Sequence, residues 1–300
     1  MRLQLGIYGT PDSPYVNELN RAALLIQQRP ALVLMRYAEM QVSLGQLDSR
    51  GKVDIPAPAP LDAIIVRSMP LGTLEQMVFR MDCLQAWESL GIPVINPARS
   101  LETAIDKWLT LQRLAAAGLP VPRTVACQSR DAAMQAFVDL GSDVVVKPLF
   151  GGEGRGIVRV DHPDLAWRVF GAIQQVGQVF YVQQFVQHLG YDVRVLFVGK
   201  KCFSIKRRAQ GTWLTNISQG SIAEPHELSE IEFELAIRSA EAIGGSVLGI
   251  DILPTVDGRR LVLEVNAVPG WKGTSKALGV DVAQEVLTHV CSEAISQKNQ

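Results

Sequence analysis

The sequence predicts a mixed α/β protein of two or three packed lobes, with a small parallel sheet first and antiparallel strands afterwards. At 300 residues, the chain exceeds the length of one typical domain. Its first part alternates strand-like and helix-like segments, which is typical of βαβ units in a parallel sheet. Two later pairs of apolar segments are joined by short turns at Gly199-Lys200 and Asp257-Gly258, which indicates antiparallel hairpins.

The composition narrows the class of protein. The apolar fraction of 47% is ample for hydrophobic cores, and a net charge of −1 gives no electrostatic reason to expect nucleic-acid or membrane partners. The four cysteines form no C-x-x-C pair, so neither a zinc site nor a disulfide framework is predicted. Met1 leads directly into a strand-like segment without the pattern of a signal peptide, so none is expected, and no apolar run approaches the roughly 18 residues of a membrane-spanning helix. We therefore expect a cytoplasmic protein.

The first part of the chain has the element order of an open parallel sheet. The predicted strands are 3–8, 31–36, 61–66 and 92–95, and the predicted helices are 15–28 and 73–90. A Pro- and Gly-rich loop is expected over 48–60. Arg67 follows the third strand, at the edge where open α/β sheets bind ligands. It is therefore either a contact for an anionic substrate or a surface arginine paired with an acid.

The middle of the chain predicts further helices and strands around a glycine-rich segment. One continuous helix containing Lys107 is predicted over 101–117, closed by Gly118. The further elements are a strand at 124–126, a helix at 131–140, a strand at 144–148, a strand at 157–160, a helix at 164–175 and a strand at 179–186. The last of these strands ends in Gln-Gln-Phe-Val, which can offer backbone groups and an apolar wall to a purine base.

The glycine-rich segment, residues 151–156, lies between two predicted strands. The dinucleotide-binding fingerprint requires a helix after its glycines, so a Rossmann-type dehydrogenase is disfavoured. A glycine loop between strands instead predicts a lid whose backbone N–H groups close over phosphates. The alternative is an ordinary hairpin loop. Lys147 precedes the loop in a β-branched strand, and its buried charge needs a partner, which favours the phosphate lid.

The last third of the chain predicts two hairpins and two helices. The first hairpin joins 192–198 to 202–208 and ends in the basic run Lys206-Arg207-Arg208. This run is either a solvated face or a phosphate contact. A helix over 228–243 begins with Ser229 as N-cap and Glu232 in the capping-box position. A closing helix is predicted over 281–295.

Three polar side chains interrupt the apolar strands of the second hairpin. Glu264 and Asn266 are two apart and leave the same face of a strand, and an antiparallel partner can bring Asp251 opposite them. Two carboxylates and an amide oxygen suit Mg²⁺, which takes one or two carboxylates together with water and phosphates. Without a cation the carboxylates would repel, so removal of Glu264 is expected to relieve repulsion in the metal-free protein. The alternative is a solvent-facing hairpin with unrelated acids.

In this order, the motifs resemble the ATP-grasp superfamily, and most closely its RimK-like branch of amino-acid ligases. They are V-V-V-K-P-L-F-G-G-E-G-R-G, V-Q-Q-F-V, D-V-R-V, K-R-R-A, T-N-I-S-Q-G, G-I-D-I-L and L-E-V-N-A-V-P-G, together with the helix carrying Lys107. The resemblance implies three lobes, with ATP between two antiparallel sheets. They are a pre-ATP-grasp α/β domain over 1–97, a lid subdomain with its linking helix over 98–186, and a metal-binding subdomain over 187–300.

The resemblance also implies roles for individual residues. Lys107 and Lys147 would contact ATP phosphates, under a lid containing Gly152, Gly154 and Gly156. The adenine and hinge positions would be Gln183, Gln184, Phe185 and Val186. Arg208 would bind phosphate or the acyl-phosphate, with Asn216 assisting at the metal site. Asp251, Glu264 and Asn266 would hold Mg²⁺ or Mn²⁺.

The implied reaction is ATP-dependent amide-bond formation. A carboxylate attacks the γ-phosphate of ATP to give ADP and an acyl-phosphate, and an amine then displaces phosphate. The expected partners are a small-molecule carboxylate and an amino acid such as glutamate, with a homo-oligomer left open. The alternatives are a nucleotide-binding ATP-grasp protein without ligase activity, and a ligase acting on a protein C-terminus.

Two departures from the family pattern bear on the substrates. Gln187 and His188 stand where many relatives carry an acidic residue for the ribose hydroxyls. The relatives that modify ribosomal proteins carry R-S-N-L-H-R-G-G where this chain has L-T-N-I-S-Q-G-S. The loss of both arginines and the histidine favours a small metabolite or cofactor tail as acceptor, such as that of a pterin or deazaflavin.

Overall fold

The computed structural model describes residues 2–43, 55–152, 154–215 and 220–299. Its N-terminal sheet is parallel, as predicted, with strand order β2-β1-β3-β4. The elements are β1 (Gln4–Tyr8), α1 (Pro14–Leu25), β2 (Ala31–Met35), a 3-10 helix (Tyr37–Glu39), β3 (Ala63–Val66), α2 (Leu74–Ser89) and β4 (Val94–Ile95). Most of the predicted loop over 48–60 lies outside the described residues.

The helical segment after the N-terminal sheet is broken, contrary to the prediction of one helix over 101–117. It consists of α3 (Ala98–Ile105) and α4 (Lys107–Ala116). The break occurs at Asp106, which is extended and whose carboxylate accepts hydrogen bonds from the N–H groups of Trp108 and Leu109. Aspartate is a favoured N-cap because it satisfies otherwise unpaired helical N–H groups. The new helix start makes Lys107 the first residue of α4.

A second sheet, the middle sheet, is antiparallel with strand order β5-β8-β6-β7. It comprises β5 (Thr124–Cys127), β6 (Val144–Lys147), β7 (Val158–Val160) and β8 (Phe180–Gln184), covered by α5 (Arg130–Asp139) and α6 (Pro163–Gln175). Its own apolar core centres on Phe137, Phe170 and Phe180. The glycine loop connects β6 to β7, so a strand follows the glycines, as predicted.

A third sheet, the large sheet, is antiparallel with strand order β11-β10-β9-β12-β13. The elements are β9 (Tyr191–Val198), β10 (Lys201–Arg208), β11 (Ile222–Pro225), α7 (Glu230–Ile243), β12 (Val247–Pro254), β13 (Arg260–Asn266), α8 (Lys272–Leu278) and α9 (Val282–Lys298). Both predicted hairpins are present, as is the capping box of Ser229 and Glu232 on α7. The sequence did not predict β11 or α8.

Two apolar clusters join the N-terminal sheet to the large sheet. One contains Ile64 together with Val193, and the other contains Ile65 together with Leu196. Successive residues of β3 therefore enter different clusters, because side chains alternate across a strand. No helix among the described residues combines the length and the apolar character needed to cross a membrane.

Polar contacts fix the same junction. The buried amide of Asn96 donates hydrogen bonds to the carbonyls of Val247 and Ala267, at 2.7 and 2.6 Å. Its oxygen accepts from the N–H groups of Ser246 and Val247, both at 2.8 Å. Every hydrogen-bonding site of this amide is thereby used, as a buried polar group requires. The chain just after β13 is held in place by the N-terminal part of the protein.

Candidate active site

A cavity lies between the middle sheet and the large sheet. It is bordered by the start of α4, the glycine loop, the ends of β6 and β8, and the strands β12 and β13. The lining residues are Lys107, Pro122, Val145, Lys147, Gly151, Gly152, Gly154, Arg155, Ile157, Gln183, Gln184, Phe185, Val186, His188, Asp192, Arg207, Trp213, Leu214, Thr215, Asp251, Leu253, Leu263 and Glu264.

Two carboxylates meet on one wall of this cavity. Asp251 of β12 and Glu264 of β13 are direct partners in the antiparallel register, as the sequence predicted. Immediately beyond this pair the register shifts, so that Ile252 faces Val262 and Leu263 is the extra residue. A β-bulge of this kind bends a strand and redirects its side chains, and such bulges are common beside active sites.

Two lysines approach from the other side. Lys107 donates a hydrogen bond from Nζ to the carbonyl of Gly151, which links α4 to the glycine loop. Lys147 donates from Nζ to Oε1 of Gln183 at 2.7 Å, and the amide nitrogen of Gln183 in turn donates to Thr124 at 2.9 Å. The buried side chain of Gln183 therefore holds Lys147 in place. Both ammonium groups lie where negative charge of a ligand would be stabilised.

Burial strongly affects the charge of Lys147. Its removal from water lowers the pKa of Lys147 to about 8, and the nearby positive charge of Lys107 acts in the same direction. The carboxylates of Glu264 and Asp251 oppose this change. Burial also lowers the pKa of Lys107, again opposed by Glu264. Glu264 is thus a counter-ion that both lysines share.

The lowered pKa predicts that nucleotide binding weakens in mildly alkaline solution. Lysine must be protonated to attract phosphate, and in the free protein Lys147 loses its proton as the pH rises through about 8. Between pH 7 and pH 9 we expect the affinity for a non-hydrolysable ATP analogue to fall about tenfold, with proton uptake on binding at the higher pH. Calorimetric titrations in buffers of different ionisation enthalpy measure both quantities.

The control for this pH effect is Lys147→Met. This variant should bind the analogue weakly, with a flatter pH dependence between 7 and 9, because the lysine that loses its proton in this range is absent. An unchanged pH dependence in Lys147→Met would contradict the assignment of the effect to Lys147.

A buried group of two arginines and two aspartates includes Asp251 and continues the carboxylate wall along the large sheet. Arg207 donates from Nε to Asp192 at 2.7 Å and has a second nitrogen 2.5 Å from the same carboxylate. That nitrogen also lies 2.8 Å from Asp251, which Arg194 contacts from its other side. The hydroxyl of Thr215 donates to Asp192 at 2.6 Å. The side chains compensate each other's formal charge, which burial makes necessary.

Aromatic and apolar groups form the end of the cavity beyond β8. The ring of Phe185 packs edge-on against Trp213, with centroids 5.7 Å apart. On its other side the guanidinium of Arg159 lies 3.6 Å from the ring centroid and is fixed by two hydrogen bonds to Asp143. The backbone N–H of Phe185 donates to the carbonyl of Asp143. This part of the cavity can contact a flat, apolar group such as a purine base.

Most of the residues expected at the site line this cavity. They are Lys107, Lys147, Gly152, Gly154, Gln183, Gln184, Phe185, Val186, Asp251 and Glu264. Asn216 lies outside the described residues. Gly156, Arg208 and Asn266 do not line the cavity. Gly156 has a structural role, because a Cβ atom there would lie 2.9 Å from Cγ of Pro148 and its φ is +70°.

Arg208 is turned away from the cavity by the alternation of side chains along β10. Its neighbour Arg207 faces the cavity and pairs with Asp192, so Arg208 leaves the opposite face of the sheet. There it lies 3.4 Å from the carboxylate of Glu224 and near the ring of Tyr191. The sequence indicated the basic run but not its register. The structure therefore brings Arg207, rather than Arg208, to the cavity.

Arg67 is neither a contact in this cavity nor a surface arginine paired with an acid, the two roles that the sequence suggested. It is buried and donates to the carbonyl of Pro269 at 3.0 Å, without lining the cavity. Its guanidinium carbon lies 4.1 Å from the ring centroid of Trp271 and 4.9 Å from that of Tyr15. Burial lowers the pKa of Arg67 to about 10. Arg67 thus anchors the chain after β13 to the N-terminal sheet.

Sequence reasoning gave no role to several residues of the cavity. Asp192 was part of the D-V-R-V motif. Because this motif lies in an apolar strand, the sequence could have predicted that Asp192 is buried and paired with a cation. His188 accepts a hydrogen bond at Nδ1 from the N–H of Gly190, so its ring is engaged in local structure. Burial lowers the pKa of His188. Nothing in the sequence pointed to Trp213, because its role depends on a contact with Phe185 that exists only in the folded chain.

The carboxylate wall suits a metal ion that shares its coordination with another ligand. No group of three or more His, Cys, Asp or Glu side chains within the described ranges could enclose a metal ion. Asp251 and Glu264 provide two carboxylates, and Asn266 uses only one acceptor position of Oδ1, for the N–H of Val268 at 2.8 Å. Mg²⁺ bound with a nucleotide takes only one or two protein carboxylates. The donor set fits this kind of site.

Comparison with known sequences identifies relatives along most of the chain. A model of the RimK-like ATP-grasp domain matches residues 104–290. The tetrahydromethanopterin:alpha-L-glutamate ligase of Methanosarcina acetivorans is 32% identical over 296 residues, which cover 87% of this chain and 90% of that protein. A probable alpha-L-glutamate ligase of Haemophilus influenzae is 32% identical over 276 residues, with 90% and 87% covered.

Comparison with solved structures confirms the predicted fold. The ATP-grasp ligase PsnB, complexed with precursor peptide PsnA2 and AMPPNP, superposes with a TM-score of 0.74 at 22% identity and 98% coverage of both chains. A RimK domain ATP-grasp protein from Sphaerobacter thermophilus superposes with a TM-score of 0.73 at 23% identity, covering 95% of this chain and 98% of that one. These likenesses establish the architecture of the three sheets.

Proposed function

The chain belongs to the RimK-like ATP-grasp family, and from this premise we propose that it is an ADP-forming, ATP-dependent carboxylate–amine ligase. Its acceptor is the carboxylate of a small metabolite or cofactor tail, and its amine substrate is an amino acid such as glutamate. The observation that carries this proposal is the meeting of Asp251 and Glu264 with Lys107 and Lys147 at one cavity between two antiparallel sheets.

The reaction joins the acceptor carboxyl to the amine in two steps. The acceptor carboxylate attacks the γ-phosphate of ATP, which releases ADP and leaves an acyl-phosphate. The amine then attacks the acyl carbon, and inorganic phosphate leaves as the amide forms. Phosphoryl transfer depends mainly on positioning and on stabilisation of the charge on the phosphoryl oxygens, so fixed cations are the main requirement.

The residues of the cavity meet this requirement from both sheets. Lys107 and Lys147 would bind the phosphates, and closure of the glycine loop would exclude water from the acyl-phosphate. Phe185 and Val186 would contact the base. Asp251 and Glu264, with Asn266 behind them, would hold Mg²⁺ or Mn²⁺, which when bound supplies positive charge to the phosphates.

The choice of glutamate and of a small acceptor follows from the relatives. The tetrahydromethanopterin:alpha-L-glutamate ligase of Methanosarcina acetivorans aligns over nearly its whole length. The sequence L-T-N-I-S-Q-G-S also lacks the arginines and the histidine of relatives that modify ribosomal proteins. The test is to incubate the protein with Mg-ATP, glutamate and acceptors of different classes. These are pterin and deazaflavin cofactors with carboxylate tails, and a peptide ending in glutamate.

We expect ADP and inorganic phosphate as products, formed in equal amounts and only when both acceptor and amine are present. Mass spectrometry should show the acceptor heavier by one or more glutamyl residues. AMP and pyrophosphate would indicate adenylation and contradict the proposed chemistry. Modification of the peptide alone would overturn the small-acceptor assignment and leave the ligase assignment intact.

A further inference from the structure

Both carboxylate oxygens of Asp251 are occupied by guanidinium groups. Arg194 donates from Nε to Oδ1 and from its terminal nitrogen to Oδ2, the latter at 2.7 Å. A nitrogen of Arg207 lies 2.8 Å from the same Oδ2. The side chains of Asp251, Arg194 and Arg207 are only 6%, 14% and 5% exposed, so water competes little for these contacts.

The two arginines are held differently. Arg207 is fixed by two hydrogen bonds to Asp192, whose second oxygen also accepts from Thr215. Arg194 is the direct neighbour of Asp251 in the register of β9 and β12, and within the described residues its side-chain hydrogen bonds go to Asp251 alone. Moving the side chain of Arg194 away therefore breaks only its two contacts with Asp251, whereas moving that of Arg207 would also break its two hydrogen bonds to Asp192.

A divalent cation and Arg194 compete for the same oxygens. A carboxylate has about four lone-pair sites, and on Asp251 Arg194 takes one on each oxygen while Arg207 takes a third, which leaves a metal ion little access. Mg²⁺ in turn demands a near-ideal octahedron and tolerates little displacement of its ligands. We propose that Arg194 is a built-in counter-ion that holds both carboxylate oxygens of Asp251 in the nucleotide-free enzyme. It must leave this carboxylate before a divalent cation can bind, an inference that rests on the proposed metal site.

The charge balance explains why such a counter-ion is needed. Arg194 and Arg207 together compensate Asp192 and Asp251, so the buried group has no net formal charge. A buried carboxylate that loses its partner without replacement is strongly destabilising. Arg194 therefore keeps the carboxylate of Asp251 paired and in place while the site holds no cation. Release of Arg194 becomes favourable only when another cation takes its place.

The exchange makes metal binding depend on the nucleotide. A cation binding alone must displace Arg194 and gains only the protein's own oxygens. A cation arriving with a nucleotide also keeps its phosphate ligands, whose negative charge is stabilised by Lys107 and Lys147. We therefore expect weak metal binding by the free enzyme and strong binding in the presence of ADP.

Arg194→Gln tests this exchange with Mn²⁺ as the probe, measured by electron paramagnetic resonance without nucleotide. Glutamine removes the competing charge while keeping a polar side chain. We expect Arg194→Gln to bind Mn²⁺ about 10- to 100-fold more tightly than wild type, because a positive charge in direct contact with Asp251 has been removed. Lys206→Gln removes one positive charge from the opposite face of the same sheet and should leave the Mn²⁺ affinity unchanged.

Arg194→Lys provides a second measurement if the glutamine variant does not fold. Lysine keeps the charge but cannot form the paired contact, so Mn²⁺ affinity should rise by less than in Arg194→Gln. Equal or weaker Mn²⁺ binding in both arginine variants would overturn the counter-ion role. In that case, titration of Glu264→Gln with Mn²⁺ in the presence of ADP shows whether only the counter-ion role is wrong or the metal site as well. Weakened Mn²⁺ binding by Glu264→Gln leaves the proposed metal site intact, whereas unchanged binding removes the metal site itself.

Discussion

Glu264→Gln is expected to lower kcat by on the order of 10³-fold, the loss typical of a group that stabilises transition-state charge. Glu264 lies opposite Asp251 on the cavity wall and is the carboxylate of this pair that no arginine contacts among the described residues. It is therefore the more available ligand for a cation. Glutamine preserves the shape and one oxygen, so the loss would report the missing charge.

The measurement combines steady-state rates of ADP formation with Mn²⁺ titration and thermal unfolding. Unfolding of the metal-free variant should occur at a slightly lower temperature than that of wild type. The reason is that Glu264 offsets the positive charges of Lys107 and Lys147. The sequence led to the opposite expectation, relief of repulsion between two carboxylates. A variant with near wild-type kcat would exclude Glu264 from the metal site.

Lys147→Met is expected to weaken binding of an ATP analogue about 10- to 100-fold, the effect of losing a charge-assisted hydrogen bond at a partly buried site. Adenosine should bind equally well to the variant and to wild type. The reason is spatial, because Lys147 ends β6 beside the glycine loop, whereas the expected base contacts are Phe185 and Val186. Calorimetric titration with both ligands gives the comparison.

Two controls support the interpretation of Lys147→Met. Lys206→Met removes a positive charge from the far face of the large sheet and should bind both ligands normally. Lys147→Arg keeps the charge and should recover part of the affinity for the triphosphate. If Lys147→Met loses adenosine and the triphosphate to the same extent, Lys147 acts through the strand and through its contact with Gln183.

Local sequence patterns predicted much of the framework of the candidate site. The two-residue period of a strand placed Glu264 and Asn266 on one face, and the Asp257-Gly258 turn brought β12 back against β13. The glycines between two strand-like segments excluded a Rossmann turn, and the structure has β7 in that position. These features depend on neighbours in the chain, which is why a single sequence was sufficient.

Other features depended on a local competition between a continuous helix and a helix that stops and starts again, which the sequence did not decide. Residues 101–117 have helix-forming composition throughout, yet the helix stops at Asp106, whose side chain caps the following turn. The sequence around an aspartate inside a helix differs little from the sequence around an aspartate that starts a new helix. The position of Lys107 at the start of α4, within reach of Gly151, was therefore apparent only in the structure.

The sequence by itself determined the order of most elements, the parallel first sheet, and the hairpin that brings the carboxylates of Asp251 and Glu264 together. Tertiary structure alone decided that Arg207 enters the cavity while Arg208 does not, and that Asp251 is bound by Arg194. Arg194 and Asp251 are 57 positions apart and meet through the register of β9 with β12. Such registers are set by packing of whole sheets, since a shift of one residue moves every side chain to the other face. Composition and spacing predict which side chains of a strand share a face, but they do not specify which distant strand lies beside it.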